Sequence, residues 1–195
     1  EKRAFTAWLS GTGLSVFGVP SGEREGISSL QNSQGILAVI KKKKQPAPDF
    51  LEHGKRLVVL CDGLQDPGNL GAIFRSAVAF GADALILAGE NVDPYSPKVV
   101  RASSGSMLDT PFYPFSDSLV SRLKRRGFSF LVSSVDASGS MDLRRIKDVP
   151  DKAIAAFGSE GQGVSPSILA LADSCFHIAI DKRIESLNVT SAVSI

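Results

Sequence analysis

The chain has 195 residues, 43% of them hydrophobic, and a formal net charge of +2. That length and composition suit one good-sized soluble domain, or one domain and a fragment. The near-neutral charge excludes a polycation that holds nucleic acid indiscriminately, so any such binding must come from local patches. Cys61 and Cys175 stand in apolar runs without CxxC or Cys/His spacing. No zinc site or disulfide framework is indicated, no metal is expected, and both read as buried thiols in a reducing compartment. His53 and His177 are isolated and read as structural. No apolar stretch approaches a membrane span and the N-terminus lacks a signal-peptide layout. The expectation is an intracellular protein, cytoplasmic or in an organellar matrix, with no membrane partner.

In chain order, residues 1–40 offer a strand-like run at Leu14 to Val19, a turn at Pro20, a short helix near Ile27 to Gln31, and a strand GILAVI from Gly35. Two strands and one helix bury little apolar surface, so this reads as part of a small α/β domain whose beginning is missing. Residues 41–54, opening KKKKQPAPD, have a linker composition, since the prolines resist helix and strand. The four lysines could also meet phosphates. Further basic groups are Lys55-Arg56, Arg122 with Lys124 to Arg126, and Arg144-Arg145 with Lys147, each equally readable as a solvated face.

Lys55 to Gly89 reads as a strand, loop, helix, strand unit around which the rest is organised. Leu57 to Cys61 is a short apolar run suited to a strand buried on both faces. Asn69 is the expected N-cap of a helix carrying Leu70, Ile73, Phe74, Ala77 and Val78, with Gly81 as its stop. Ala84 to Ala88 is the second strand. Arg75 is placed one turn into that helix, where a cation opposes the dipole. It pairs with Asp62 or Asp66, or an anionic partner is near.

Beyond this unit, a helix is expected from Ser96-Pro97, a close approach at Ser103 to Ser106 that serves packing or binding, and a strand at Phe112-Tyr113. Then follow a helix over Asp117 to Arg126, a strand at Phe128 to Ser134, a polar connection with helical turns from Asp136 to Asp151, and a strand at Ala153 to Phe157. The loop GSEGQG from Gly158 has the wrong glycine spacing for a dinucleotide fingerprint, and its Glu160 would repel a pyrophosphate. A helix from Pro166 to Ala172 is capped by Ser165, Cys175 to Ile180 is the last strand, and Asn188 caps a final helix at Val189. One or two helical turns are not stable alone, so that helix is expected to be truncated. Five or six buried strands alternating with helices mean an α/β fold, a mainly parallel sheet with helices on both faces. Ligands belong at the strand carboxyl ends.

DGLQDPGNLGAIFRSAVAFGADALIL, FGSEGQGVSPSIL and IESLNVTSAVSI resemble, in order, the three motifs of the SpoU-type (TrmH-like) RNA ribose 2′-O-methyltransferases of the SPOUT superfamily. The resemblance runs from Leu57 to the end. It implies a SPOUT methyltransferase domain over residues 55–195 with a C-terminal trefoil knot, preceded by a partial RNA-recognition domain and the linker. It further implies methyl transfer from S-adenosylmethionine to a 2′-hydroxyl of structured RNA, ribosomal RNA rather than transfer RNA, by a homodimer. Val189, Ala192, Val193 and Ile195 span more than a narrow helical stripe, which also suits a dimer.

The resemblance implies a cofactor site at Gly158, Ile178 and Leu187, with Ser133 and Ile180 close, although Ile178 and Leu187 also suit core packing. It implies catalytic weight on Arg75 with Asn69, Glu160, Ser186 and Asn188, the last also readable as a cap only. An arginine stays protonated at neutral pH. Arg75 is therefore expected to bind a target phosphate and stabilise an alkoxide, with Glu160 or solvent taking the proton, while Asn69 and Ser186 hold Arg75 and the loops in place. The third motif departs from the family pattern at Asp181-Lys182, charged where small residues are common. A lysine facing a sulfonium weakens binding unless it points outward or pairs with Asp181. This keeps open a SpoU-like RNA-binding protein without catalysis.

Overall fold

The computed structural model describes residues 5, 7–9, 11–20, 22–27, 35–42, 44–52, 54, 56–135 and 137–195. The chain divides into two compact units, Glu1–Lys41 and Lys42–Ile195.

In the first unit Phe5 and residues 7–9 are helical, which the sequence reading did not anticipate, and the Phe5 and Trp8 rings stack at 5.7 Å. A single helical turn spans Arg24–Ile27. The helix expected to continue to Gln31, and Asn32 to Gln34 of the strand-ending motif, lie outside the described residues, as do Lys43, His53, Lys55 and Asp136. The expected strands at Leu14 to Val19 and Gly35 to Ile40 do not form. Leu14, Phe17, Ile36 and Val39 are exposed, and an extended segment becomes a strand only where a neighbour completes its ladder.

The second unit is built on a seven-stranded sheet, all of whose pairs are parallel. Its strands are β1 (Arg56–Asp62), β2 (Ala84–Ala88), β3 (Phe112–Pro114), β4 (Ser129–Ser133), β5 (Met141–Asp142), β6 (Lys152–Gly158) and β7 (Ser174–His177), in the order β3-β2-β1-β6-β4-β7-β5. Alternation along β1 sends Val58 and Leu60 into one apolar cluster and Val59 and Cys61 into another. The first cluster is closed by Leu119, Val120 and Leu123 of α4 (Asp117–Arg125). The second is closed by Leu70, Ile73, Phe74 and Ala77 of α1 (Pro67–Phe80) and Val189 of α6 (Val189–Ser194). Helices therefore cover both faces, as expected. Each fully buried large side chain, such as Phe74 or Phe130, contributes about 1.5–3 kcal/mol. Cys61 is fully buried, and burial pushes its thiol up to about 12.

Four local expectations are corrected. The N-cap of α1 is Asp66, whose carboxylate accepts from the Asn69 amide at 2.8 Å, because Pro67 presets the first helical turn three residues earlier than expected. Arg75 consequently lies in the middle of a 14-residue helix, beyond the reach of its N-terminal dipole. The connection after Ser134 contains β5 and a 3-10 turn, Leu143–Arg145, since the edge of β7 offers Met141 and Asp142 a ladder. β7 ends at His177 instead of Ile180, because β4 stops at Ser133 opposite Phe176 and β5 supplies only two partners. The helix after Ser165, α5 (Pro166–Leu169), is one turn long, and Ser165 makes no side-chain cap bond.

Residues read as linker are packed in part on this unit. Lys42 lies over the Tyr95 ring at 4.6 Å, Gln45 Oε1 accepts from the Phe112 amide at 3.1 Å, and Pro48–Glu52 form a 3-10 turn that buries Leu51 completely. The small residues near Ser103 serve packing. α2 (Pro97–Ala102) crosses α1 so closely that a Cβ on Gly71 would meet Ala102 Cβ at 2.4 Å, Val99 O at 2.8 Å and Ser103 N at 2.9 Å. Two of those atoms are backbone and cannot swing aside. Gly71→Ala is expected to destabilise the unit by about 1–3 kcal/mol, read as a lower urea midpoint; an unchanged midpoint would contradict this packing.

Candidate functional site

The carboxyl ends of β1, β4, β6 and β7 lie side by side, and their loops form two adjoining clefts. The larger, about 400 Å³, is lined by Ser133, Gly158, Ile178, Ile180 and Leu187, all five residues expected there, together with Ser186 and Glu160. Ending β7 at His177 is what turns Ile178 and Ile180 out of a ladder and into this lining. The smaller cleft, about 310 Å³, is lined by residues 63–66 after β1, by Asn69, and by Ser159 to Gln162. Ser159, Glu160 and Val189 face both clefts.

Glu160 is fixed through one oxygen. Its Oε1 accepts from Asn69 Nδ2 at 3.3 Å, from the Val189 amide at 3.4 Å, and from Asn188 Nδ2. Asn188 Nδ2 also donates to Asn69 Oδ1 at 3.0 Å, while Asn188 Oδ1 caps α6 by accepting from the Thr190 amide at 2.9 Å. Asn188 is thus both cap and site residue. The shift of the α1 cap to Asp66 has the same effect for Asn69: as the third residue of the helix it keeps its carboxamide free for Glu160 and Asn188. Glu160 Oε2 has no partner among the described residues.

The loop bearing Glu160 is a tight hairpin. The Gly163 amide donates to Ser159 O at 2.9 Å, and a Cβ on Gly158 would lie 1.9 Å from Gly163 O. Its far end is pinned by Asp62, a buried carboxylate at the end of β1 whose Oδ2 accepts from the Ser165 amide at 2.7 Å. A charge-assisted bond of this kind contributes about 1.5–3 kcal/mol.

Arg75 is not brought to either cleft. It is exposed and makes no hydrogen bond or ion pair with a described residue. It does not pair with Asp62 or Asp66, whose carboxylates hold Ser165 and Asn69, and Asn69 and Ser186 do not contact it by hydrogen bonds. Lys182 is exposed and does not line the cleft. Asp181 turns instead to Arg183, at 3.0 Å, and that guanidinium holds its carboxyl below the usual carboxylate range. His177, read as structural, lines the larger cleft and contacts Ser140 Oγ at 3.0 Å, and Glu185 lines it as well. His177 carries no sequence signal, since only the end of β7 exposes it there, whereas Glu185 lies inside the third motif.

The basic groups are compensated in part. Arg56 pairs with Asp83, Arg122 with Asp49, Lys124 with Asp173 and Arg144 with Asp142. Exposed pairs of this kind add little stability but do neutralise the surface.

The SpoU rRNA Methylase family model matches residues 56–195. An uncharacterized tRNA/rRNA methyltransferase of Synechocystis is 34% identical over 177 residues, covering 87% of this chain and 61% of that relative. The 23S rRNA (guanosine(2553)-2′-O)-methyltransferase of Bacillus subtilis is 28% identical, covering 91% of this chain and 74% of that relative. The crystal structure of an AdoMet-bound rRNA methyltransferase from Sinorhizobium meliloti superposes with a TM-score of 0.85 at 28% identity, over 99% of this chain and 74% of that one. The chain thus spans less than two thirds of the Synechocystis relative's length.

Gly158→Ala is expected to open the hairpin, because its nearest neighbours are backbone atoms. Amide exchange at Gly163 should accelerate at least tenfold and stability should fall by about 1–3 kcal/mol; exchange as slow as in the unaltered chain would contradict the closure described.

Proposed function

The chain belongs to the SpoU rRNA methylase family, and from that membership we propose that it transfers a methyl group from S-adenosylmethionine to a ribose 2′-hydroxyl of structured RNA. The carrying observation is Glu160, a carboxylate on the wall common to two clefts, held through Oε1 with Oε2 open.

The larger cleft fits the cofactor in the chemistry of its lining. Leu187, Ile178, Ile180 and Phe157 offer an apolar wall for an adenine ring, and Ser133 offers a hydroxyl. Glu160 and Glu185 bring carboxylates toward a ligand that carries a sulfonium and an ammonium, and no Lys or Arg lines the cleft. When bound, S-adenosylmethionine supplies a methyl group already activated for transfer. The protein's part is to align the hydroxyl, exclude water and receive the proton. Glu160 Oε2 takes that proton, with Asn69 and Asn188 holding the carboxylate toward the target. Arg75 binds the target phosphate and stabilises the developing alkoxide.

The proposal includes the trefoil knot and a homodimer. Val189 is buried and Ala192 and Val193 pack within the chain, so these do not supply the dimer face. Val78 and Phe80 on α1 are 50% and 66% exposed and Ile195 is 69% exposed, and these support it. Arg75 lies on the same helix, outside its own clefts; a two-fold pair is the arrangement that gives such a cation a site to serve. Residues 1–40 are read as part of an RNA-recognition domain and 41–54 as its linker, and that segment favours ribosomal over transfer RNA. No helix among the described residues is long and apolar enough to cross a membrane, and an intracellular location goes with the RNA substrate.

Arg75→Ala is expected to lower transfer to ribosomal-RNA transcripts at least about a hundredfold, with S-adenosylhomocysteine affinity in calorimetry changed less than about twofold. Leu187→Asp should weaken that affinity at least about tenfold. Normal turnover in Arg75→Ala would overturn its role, and transfer to transfer RNA alone would overturn the preferred substrate. Light scattering on the full-length protein should give a dimer at micromolar concentration; an active monomer would end that part of the proposal.

A further inference from the structure

The smaller cleft adjoins the one proposed for the cofactor and shares Glu160 with it. Its polar lining is neutral apart from two carboxylates: Gln65 on the loop after β1, Ser159 and Gln162 on the loop after β6, Asn69, Asp66 and Glu160. Asn69 and Asp66 are committed to hydrogen bonds inside the site, but the Gln65 and Gln162 carboxamides bond to no described residue. Each keeps one acceptor and two donors available.

The backbone beneath them is fixed. The Leu64 amide donates to Asn91 Oδ1 at 2.8 Å and Leu64 O accepts from the Val92 amide at 2.8 Å, which anchors the residue before Gln65. Gln162 precedes Gly163, whose amide closes the hairpin onto Ser159. Two glutamines on anchored loops, after the neighbouring strands β1 and β6, therefore line one cleft.

The lining excludes several occupants. It has no Lys or Arg, so phosphate would meet only acceptors and amides, and two carboxylates would repel it. It has no aromatic ring to stack a planar group. What remains is a neutral, planar ligand read on its edge by hydrogen bonds, and a volume of about 310 Å³ admits one such group rather than a duplex. We infer that this cleft holds the unpaired nucleobase of the target nucleotide, with Gln65 and Gln162 as the residues that choose it. The inference rests on the proposed methyl transfer: a ribose hydroxyl at Glu160 places its own base on the other side of that carboxylate. The base must leave its stack to enter, as is usual when single nucleotides are read on their edges.

The test uses the full-length protein and transcripts carrying the nucleotide it methylates, with that base changed to each of the other three. The unaltered protein should favour the native base by about tenfold or more in kcat/KM. In the double variant Gln65→Ala, Gln162→Ala the four ratios should fall within about threefold of one another, with S-adenosylhomocysteine affinity unchanged. Equal use of all four bases by the unaltered protein would overturn the inference. So would ratios that survive in the double variant, whether or not overall transfer falls. If the unaltered protein binds S-adenosylhomocysteine but methylates no ribosomal or transfer RNA, the proposed transfer fails first and takes the base site with it.

Discussion

One carboxylate oxygen joins three parts of the chain that are far apart in sequence. Glu160 Oε1 receives Asn69 from the first helix, and Asn188 and the Val189 amide from the last. The arrangement constrains each contributor. Asp66, and not Asn69, has to cap α1, or Asn69 Oδ1 would be turned to its own backbone instead of accepting from Asn188. Asn188 has to divide its side chain between capping α6 and reaching Glu160. Residue 158 has to lack a side chain, or the hairpin that carries Glu160 could not close.

The scaffold supports this contact with a few buried bonds instead of many surface ones. Asp62 is 6% exposed and ties the end of the Glu160 loop to the end of β1. A buried carboxylate without a donor is costly, so the Ser165 amide is held as firmly as the carboxylate needs it. Surface pairs such as Arg183 with Asp181 add little stability, but they decide where charge does not go. By drawing Asp181 to Arg183 and leaving Lys182 in solvent, the third motif tolerates charged residues where small ones are common without placing a cation in the larger cleft. At these positions it is the direction of the side chains that keeps the lysine out of the lining.

Much of the sheet was legible because its strands are short apolar runs punctuated by glycine, and β1 is buried on both faces from Val58 to Cys61 as that run implies, although Leu57 at its start is exposed. What escaped depends on neighbours. β5 exists only because β7 has an open edge, and the expected strands near Leu14 and Gly35 fail for want of one. The grouping of Ser133, Gly158, Ile178, Ile180 and Leu187, which line one cleft, came from motif resemblance, and periodicity would have assigned Ile178 and Leu187 to the core. Gln65, Gln162 and Glu185 lie inside the motifs but were not distinguished there from their neighbours, and His177 has no motif at all; where the strands end sets which of them line the clefts. Arg75 shows the opposite limit: its motif position was plain, but a single chain does not carry it to the clefts.

The strand order also dictates when this protein can fold. β1 lies between β2 and β6, and its Arg56 is in register with Lys152, a separation of 152 − 56 = 96 residues. At about 5–20 residues per second of synthesis, β1 waits roughly 5–20 s for that neighbour to be made. During that interval one edge of β1, apolar from Leu57 to Cys61, has no ladder partner, and only the parallel β2 and the crossover helix α1 lie beside it. A parallel sheet whose centre closes late couples assembly to chain length, so an open strand edge persists until most of the sequence has been made.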